Sequence, residues 1–245
     1  MNMPFPFFRP GDSLPDFQSG LVLLVDKPAG WTSFDVVNKI RARLRRITAN
    51  RKIKVGHAGT LDPMATGLLI LCTGRATKSI SAFQDLPKQY EGSLLLGAST
   101  PSYDAETEPD AFFPWEHITP AMLENARKQF LGRIEQLPPM YSAVKVKGQP
   151  LYKLARKGKT IERKARAVEV YDFAFRQIEL PELHFEVRCS KGTYIRSLAH
   201  DFGKILQSGA HLTALKRTAI GEHRLEEAWP LQDLVAVLES FGQGS

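Results

Sequence analysis

The sequence predicts a mixed α/β chain, and two patterns in its 245 residues predict it. Short apolar runs and alternating segments recur as strands; the clearest is Leu183 to Ser190. There Leu183, Phe185, Val187 and Cys189 take one face, and His184, Glu186, Arg188 and Ser190 the other. Between the strands lie stretches with helical spacing and cap residues. With 43% hydrophobic residues the chain is able to bury a sizeable core, as one large domain or one domain with an excursion.

Taken in order, residues 1–20 form a proline-rich start, read as a flexible extension. Gly20 to Asp26 is a strand, and Ser33 caps a helix whose stripe is Val37, Ile40, Leu44 and Ile47. The other face of that helix is basic, with Arg41, Arg43, Arg45 and Arg46 continued by Arg51, Lys52 and Lys54. A strand from Leu68 to Cys72 precedes a short helix between Gly74 and Pro87, and Tyr90 opens another strand. Gly97 to His117 reads as a loop to which no chemistry is assigned. Thr119 caps a helix with Pro120 at its first position, Leu123, Ala126 and Phe130 apolar, and Gly132 at its end. A short helix spans about Pro150 to Lys157, and Arg166 to Arg176 is a strand. The helix after Lys191 to Arg196 has Ile195, Leu198, Ala199, Phe202 and Ile205 as its buried stripe. A strand from His211 to Gly221 and a closing helix complete the chain. No internal repeat is visible.

Composition narrows the function. No run of about 18 apolar residues exists, so no membrane span is expected. The N-terminus lacks the cationic start and long apolar stretch of a signal peptide, and the protein is expected in the cytoplasm. Cys72 and Cys189 sit in separate strand-like segments and read as small core residues, with neither a disulfide nor a metal ligand set in view. The formal charge is +7, but Lys145 to Arg166 alone carries +8, from nine Lys or Arg against Glu162, leaving −1 for the rest. Such concentration favours contact with a polyanion, although a solvated face is the usual fate of a charge run.

The stretch Val55 to Leu71, V-G-H-A-G-T-L-D-P-M-A-T-G-L-L-I-L, organises the remainder. Gly56, Gly59 and Gly67 give backbone freedom around one histidine and one aspartate, while Pro63 fixes φ directly after Asp62. Asp-Pro by itself is an ordinary turn pair. The full wording is more specific: G-H-A-G-T-L-D-P-M-A-T-G-L-L resembles the active-site motif of the TruB family of tRNA pseudouridine synthases. K-P-A-G-W-T-S-F-D-V-V at Lys27 to Val37, K-Q-Y at Lys88 to Tyr90 and K-G-T-Y-I-R at Lys191 to Arg196 follow in the family's order. The resemblance covers about Leu21 to Gly221.

It implies an α+β fold with a mixed, largely antiparallel sheet and flanking helices. Residues 21–245 would form one catalytic domain, with a basic RNA-binding insertion at about 133–166 that is mobile without RNA. About 24 residues follow Gly221, which implies that the small C-terminal RNA-binding (PUA) domain of many members is missing. The implied reaction converts uridine 55 of the tRNA T-loop to pseudouridine. It is redox-neutral and needs no cofactor, consistent with a chain that shows no P-loop or dinucleotide fingerprint. Asp62 matches the essential aspartate, acting covalently or by proton abstraction. Arg196 matches the arginine that pairs with it, and Tyr90 the aromatic that stacks on the base and handles the C5 proton. His57 matches the histidine that fills the space left by the flipped base. Leu215 corresponds to a pocket leucine, and Lys191 and Tyr194, in the arginine's motif, are implied substrate contacts. The partner is the tRNA T-arm, bound by a monomer. Two other readings stay open: an RNA-binding helper of tRNA folding, and a synthase acting on other T-loop-like hairpins.

Overall fold

A computed structural model describes residues 5–142, 145–146, 148–155, 158–159 and 161–242. In chain order its elements are β1 (Val22–Lys27), α1 (Ser33–Ile47), β2 (Val55–His57), β3 (Thr66–Thr73), α2 (Ile80–Asp85), β4 (Lys88–Leu96), β5 (Ala98–Ser99), β6 (Ala111–Phe112), α3 (Pro120–Lys128) and β7 (Gly132–Gln136). There follow β8 (Lys145–Val146), β9 (Gln149–Pro150), α4 (Leu151–Ala155), β10 (Arg166–Glu179), β11 (Glu182–Cys189), α5 (Ile195–Ile205), β12 (Ala210–Ile220), β13 (His223–Arg224), β14 (Trp229–Pro230) and α6 (Leu231–Phe241). They divide into two compact units. One unit is Met1–Lys88 with Lys216–Ser245, the other Gln89–Leu215.

In the first unit the strand order is β14-β1-β3-β12, with β2 and β13 paired at the side. β1 lies antiparallel to β3, while β14 on β1 and β3 on β12 are parallel. The strands are apolar without alternation because both faces are covered. Leu23, Val25, Leu69 and Leu71 pack with Val37, Ile40 and Leu44 of α1 and with Leu234 and Leu238 of α6. Their neighbours Val22, Leu24, Leu68, Ile70 and Cys72 face Ala76, Phe83 and Ile220.

Two expectations change here. The proline-rich start is not a loose extension over its described residues. Phe8 and Phe17 are buried in the α1-side core, and Trp229 Nε1 donates to the Phe8 carbonyl at 3.0 Å. These aromatic side chains supply apolar area to that core. The cap of α1 is Thr32 rather than Ser33. Thr32 Oγ1 accepts from the Asp35 amide at 3.0 Å and the Asp35 carboxylate accepts from the Thr32 amide at 2.9 Å. This reciprocal box contributes about 1 kcal/mol to the helix start and leaves the Ser33 hydroxyl for another use.

In the second unit the order is β12-β4-β11-β10-β7, with β10 antiparallel to β11 and to β7. The expected alternation of β11 holds, with Leu183, Phe185, Val187 and Cys189 all buried. Phe173 meets Phe185 edge-on at 5.8 Å and Phe202 of α5 at 6.1 Å, so aromatic packing joins helix to sheet. Thr119 caps α3 as expected, accepting from the Met122 amide at 3.3 Å. Ile205, expected in the buried stripe of α5, is 41% exposed. Leu206 is buried in its place, four residues after Phe202. The segment Gly97 to His117 is not wholly a loop, since it includes the β5–β6 pair. The short helix of the basic segment is present as α4, while Lys147, Arg156 and Lys157 lie outside the described residues. The sheet is thus mixed and largely antiparallel with flanking helices, as the sequence reading expects. Among the described residues no helix is long and apolar enough to cross a membrane.

Candidate active site

In the first unit β2 and β3 form a hairpin in which His57 stands opposite Leu71, so the chain from Ala58 to Ala65 is a closed loop. Three buried side chains from other elements hold its backbone. Gly67 lies opposite Arg217 across the parallel β3–β12 pair. A Cβ at Gly67 would come within 2.4 Å of the Arg217 carbonyl oxygen, and Gly67 has φ +97, so this position requires glycine. The Arg217 side chain, 1% exposed, then reaches into the loop. Its Nε donates to the Leu68 carbonyl at 2.7 Å and its Nη2 to the Gly59 carbonyl at 3.1 Å.

The hydroxyl of Ser33, at the start of α1, accepts from the Leu61 amide at 2.8 Å and donates to the Leu61 carbonyl at 3.2 Å. Lys27, completely buried at the end of β1, donates from Nζ to the carbonyls of Trp31 at 2.6 Å, Pro28 at 2.9 Å and Pro63 at 3.3 Å. The Gly30 amide also donates to Pro63 O at 2.8 Å. The residues on either side of Asp62, Leu61 and Pro63, are therefore both fixed to the β1–α1 connection. Asp62 itself is half-buried, and its carbonyl accepts from the Ala65 amide at 3.1 Å. His57, also half-buried, has its pKa lowered chiefly by burial; the Gly59 backbone opposes the shift and the Arg217 cation adds to it. The shift favours the neutral imidazole.

The second unit contains the other expected site residues. Tyr90 on β4 and Leu215 on β12 are each 8% exposed. Lys191 is exposed in the turn before α5, and Tyr194 is half-buried at the N-terminal end of that helix. The buried Gln136 of β7 grips the Tyr194 backbone on both sides, accepting from its amide at 2.7 Å and donating to its carbonyl at 2.9 Å. This fixes the first turn of α5, where Arg196 is 3% exposed. Its guanidinium donates to Ser102 O at 3.1 Å and Tyr141 O at 2.8 Å, and Nη1 lies 3.5 Å from Asp104 Oδ2.

Asp104 belongs to the T-P-S-Y-D-A-E-T segment, to which the sequence reading assigned no chemistry. Its Oδ1 accepts from Ser102 Oγ at 2.5 Å and from the Glu106 amide at 3.0 Å. A buried cation needs a partner of opposite charge and acceptors for its donors; this segment supplies the Asp104 carboxylate and the Ser102 carbonyl, and Tyr141 O adds another acceptor. Sequence reasoning also missed Lys27, Ser33 and Arg217 as supports. Lys27 and Ser33 stood inside a quoted motif, whereas Arg217, in a strand, carried no local signal. His57, at the end of β2, and Asp62, in the loop that follows, belong to the first unit, while Tyr90, Lys191, Tyr194, Arg196 and Leu215 belong to the other.

Each unit thus holds one charged group on a fixed backbone: Asp62 in the first, on a loop pinned from three directions, and Arg196 in the second, buried against Asp104. Comparison with known proteins makes this specific. Residues 45–195 match the family model described as TruB family pseudouridylate synthase, N-terminal domain. Residues 196–243 match the model described as tRNA pseudouridylate synthase B C-terminal domain. Among curated relatives, the tRNA pseudouridine synthase B of Phocaeicola vulgatus is 55% identical over 212 residues, 86% of this chain and 90% of that protein. That of Flavobacterium johnsoniae is 51% identical, covering 87% and 93%, and that of Chlorobaculum tepidum 49%, covering 89% and 90%. Two solved structures share the fold. A chain of a Cbf5-Nop10-Gar1 complex aligns with a TM-score of 0.65 at 30% identity over 90% of this chain. A chain of an H/ACA RNP bound to a substrate RNA containing 2′-deoxyuridine aligns with 0.62 at 28%, also over 90%. This chain spans about half the length of each, 54% and 53%. The chain belongs to the TruB family of pseudouridylate synthases.

Proposed function

We propose that the chain is a tRNA pseudouridine synthase that isomerises uridine 55 in the T-loop of tRNA. The observation that carries this is the fixing of Leu61 by Ser33 and of Pro63 by Lys27 and Gly30, which leaves Asp62 on a preorganised backbone. The reaction breaks the N1–C1′ bond of uridine, turns the uracil and forms a C5–C1′ bond; C5 loses a proton and N1 gains one. Atoms and electrons balance within the substrate, so the protein has to supply a carboxylate, a proton path and a means of extruding the base.

Asp62 acts on the ribose or the base as that carboxylate, and Arg196 takes the role of the family's arginine. Tyr90 stacks on the uracil and handles the C5 proton. Leu215 packs against the base, and Lys191 and Tyr194 contact the nucleotide. His57, kept neutral by its surroundings, enters the space that the extruded base vacates, which offsets the few kcal/mol of lost stacking. In this reading the basic segment at about 133–166 holds the T-arm. The enzyme works as a cytoplasmic monomer without a protein partner.

The test is tritium release from [5-³H]uridine-labelled tRNA transcript by the wild-type protein and by Asp62→Asn, with tRNA binding followed in parallel. The expected result is release by the wild type, none by Asp62→Asn, and equal binding by both. A folded wild-type protein that binds tRNA without release would overturn the assignment.

A further inference from the structure

The first unit has a second feature suited to RNA, on α1 and outside the loop of Asp62. Residues 36–61 include eight Lys or Arg and no Asp or Glu. Two of these are engaged within the protein. Arg43 pairs with Glu239 at 2.7 Å, and Arg41 donates to Val55 O at 2.8 Å and Asn38 Oδ1 at 3.0 Å. Arg45 and Arg46 are exposed, and among the described residues neither has a carboxylate within ion-pair distance.

At 3.6 residues per turn, Phe34, Asn38, Arg45, Ala42, Arg46 and Lys39 fall on one side of α1. An open hollow of about 370 Å³ lies at its N-terminal end, lined by Gly30, Trp31, Asp35, Asn38 and Lys39. Phe34 nearby is 59% exposed, with the Arg41 guanidinium 5.8 Å from its ring centre. The Asp35 carboxylate, the acid in the hollow, is occupied by the amide and hydroxyl of Thr32 at 2.9 and 2.6 Å. The hollow adjoins the catalytic loop directly, since Gly30 N and Lys27 Nζ both bond to Pro63 O and Lys27 Nζ also bonds to Trp31 O.

Aromatic surface next to unpartnered cations is the combination that takes an unstacked base and its phosphates. Solvation alone explains exposed arginines, but not an exposed phenylalanine and a half-buried tryptophan at the end of the strip nearest Asp62. We propose that this face of α1 binds the substrate RNA outside the reacting nucleotide. One unstacked base sits at Trp31 and Phe34, and the backbone that follows it runs past Ala42 along Lys39, Arg45 and Arg46. From residue 38 to residue 45 the helix rises about 10 Å, room for more than one phosphate. Ala42, small and exposed midway, lets the strand lie close.

This inference rests on the tRNA reading above, and its experiment separates the two. Affinity for a tRNA transcript is measured against salt, and KM and kcat by tritium release, for wild type, Arg45→Glu/Arg46→Glu, Phe34→Ala and a control Lys204→Glu on α5. The double variant is expected to raise KM roughly tenfold at low salt and to reduce the slope of log Kd against log salt by about one to two, the value for two lost phosphate contacts. Its kcat at saturating tRNA stays within about twofold of wild type, the split expected of a group that binds without touching the reacting atoms. Phe34→Ala weakens binding with the slope unchanged, as expected for an uncharged contact. Wild-type values of KM and slope in the double variant, or an equal effect in Lys204→Glu, would overturn the α1 face while leaving the enzyme assignment standing. A wild-type protein that binds tRNA without release would overturn the assignment and leave the α1 face to be decided by the binding arm.

Discussion

Arg217 and Gly67 stand opposite each other on parallel strands so closely that the Arg217 carbonyl oxygen occupies the space of a Gly67 side chain, 2.4 Å from where a Cβ would be. The same arginine sends its guanidinium back over the loop that follows β2. Replacing it by methionine removes the donors to the buried Leu68 carbonyl and the partly buried Gly59 carbonyl. The expected loss is about 3 kcal/mol, read as a lower urea midpoint. A fall in kcat larger than the rise in KM should accompany it, because loop geometry and not the RNA-binding surface is disturbed. Gly67→Ala should cost a further ~2 kcal/mol or more from overpacking and left-handed strain at the same contact.

Asp104 predicts a second effect at a distance. Asp104→Ala leaves the Arg196 guanidinium buried without this carboxylate, an expected loss of about 3–5 kcal/mol. Asp104→Asn keeps acceptors for Ser102 and Glu106 and should lose less. Denaturant unfolding of both variants, with turnover under folding conditions, checks the order wild type, Asn, Ala.

The histidines set an acid limit. Burial holds His200 at about 4, below the usual 6.5, with Lys204 and Arg163 acting in the same direction and Asp110 against them. Its ring stacks on Tyr103 at 3.7 Å. The unfolded chain therefore takes up this proton first. Stability from this group is complete above pH 6.5, declines as pH falls from 6.5 to about 4, and is level below that. His57 and His223 are displaced in the same direction. Urea midpoints for wild type and His200→Gln between pH 7 and 4 should converge as pH falls; parallel curves would contradict this.

Both thiols are buried, and burial pushes Cys72 up to about 12. A thiol-specific reagent at neutral pH should leave native protein unlabelled and should titrate two thiols in denaturant. Labelling at the unfolding rate rather than on mixing would confirm that access requires opening.

Several features were legible because they are local. The loop around Asp62, the K-G-T-Y-I-R turn and the alternation of β11 each occupy fewer than twenty consecutive residues, and short-range spacing alone displays them. The near misses were local as well. Thr32 caps α1 in place of Ser33, and Leu206 packs in place of Ile205, because adjacent residues compete for a cap or a stripe that spacing fixes only to within one position.

What the sequence determined by itself was the pair of periodicities, the single carboxylate between glycines and the concentration of positive charge, all properties of neighbours along the chain. Tertiary structure decided which distant residues complete them. Asp104 meets Arg196 across 92 positions, Arg217 holds Leu68 across 149, and Phe8 lies beneath Trp229 across 221. Each of these contacts satisfies a buried polar group or covers an apolar one. That requirement arises only once the sheet has excluded water, so no stretch of sequence read alone contains it.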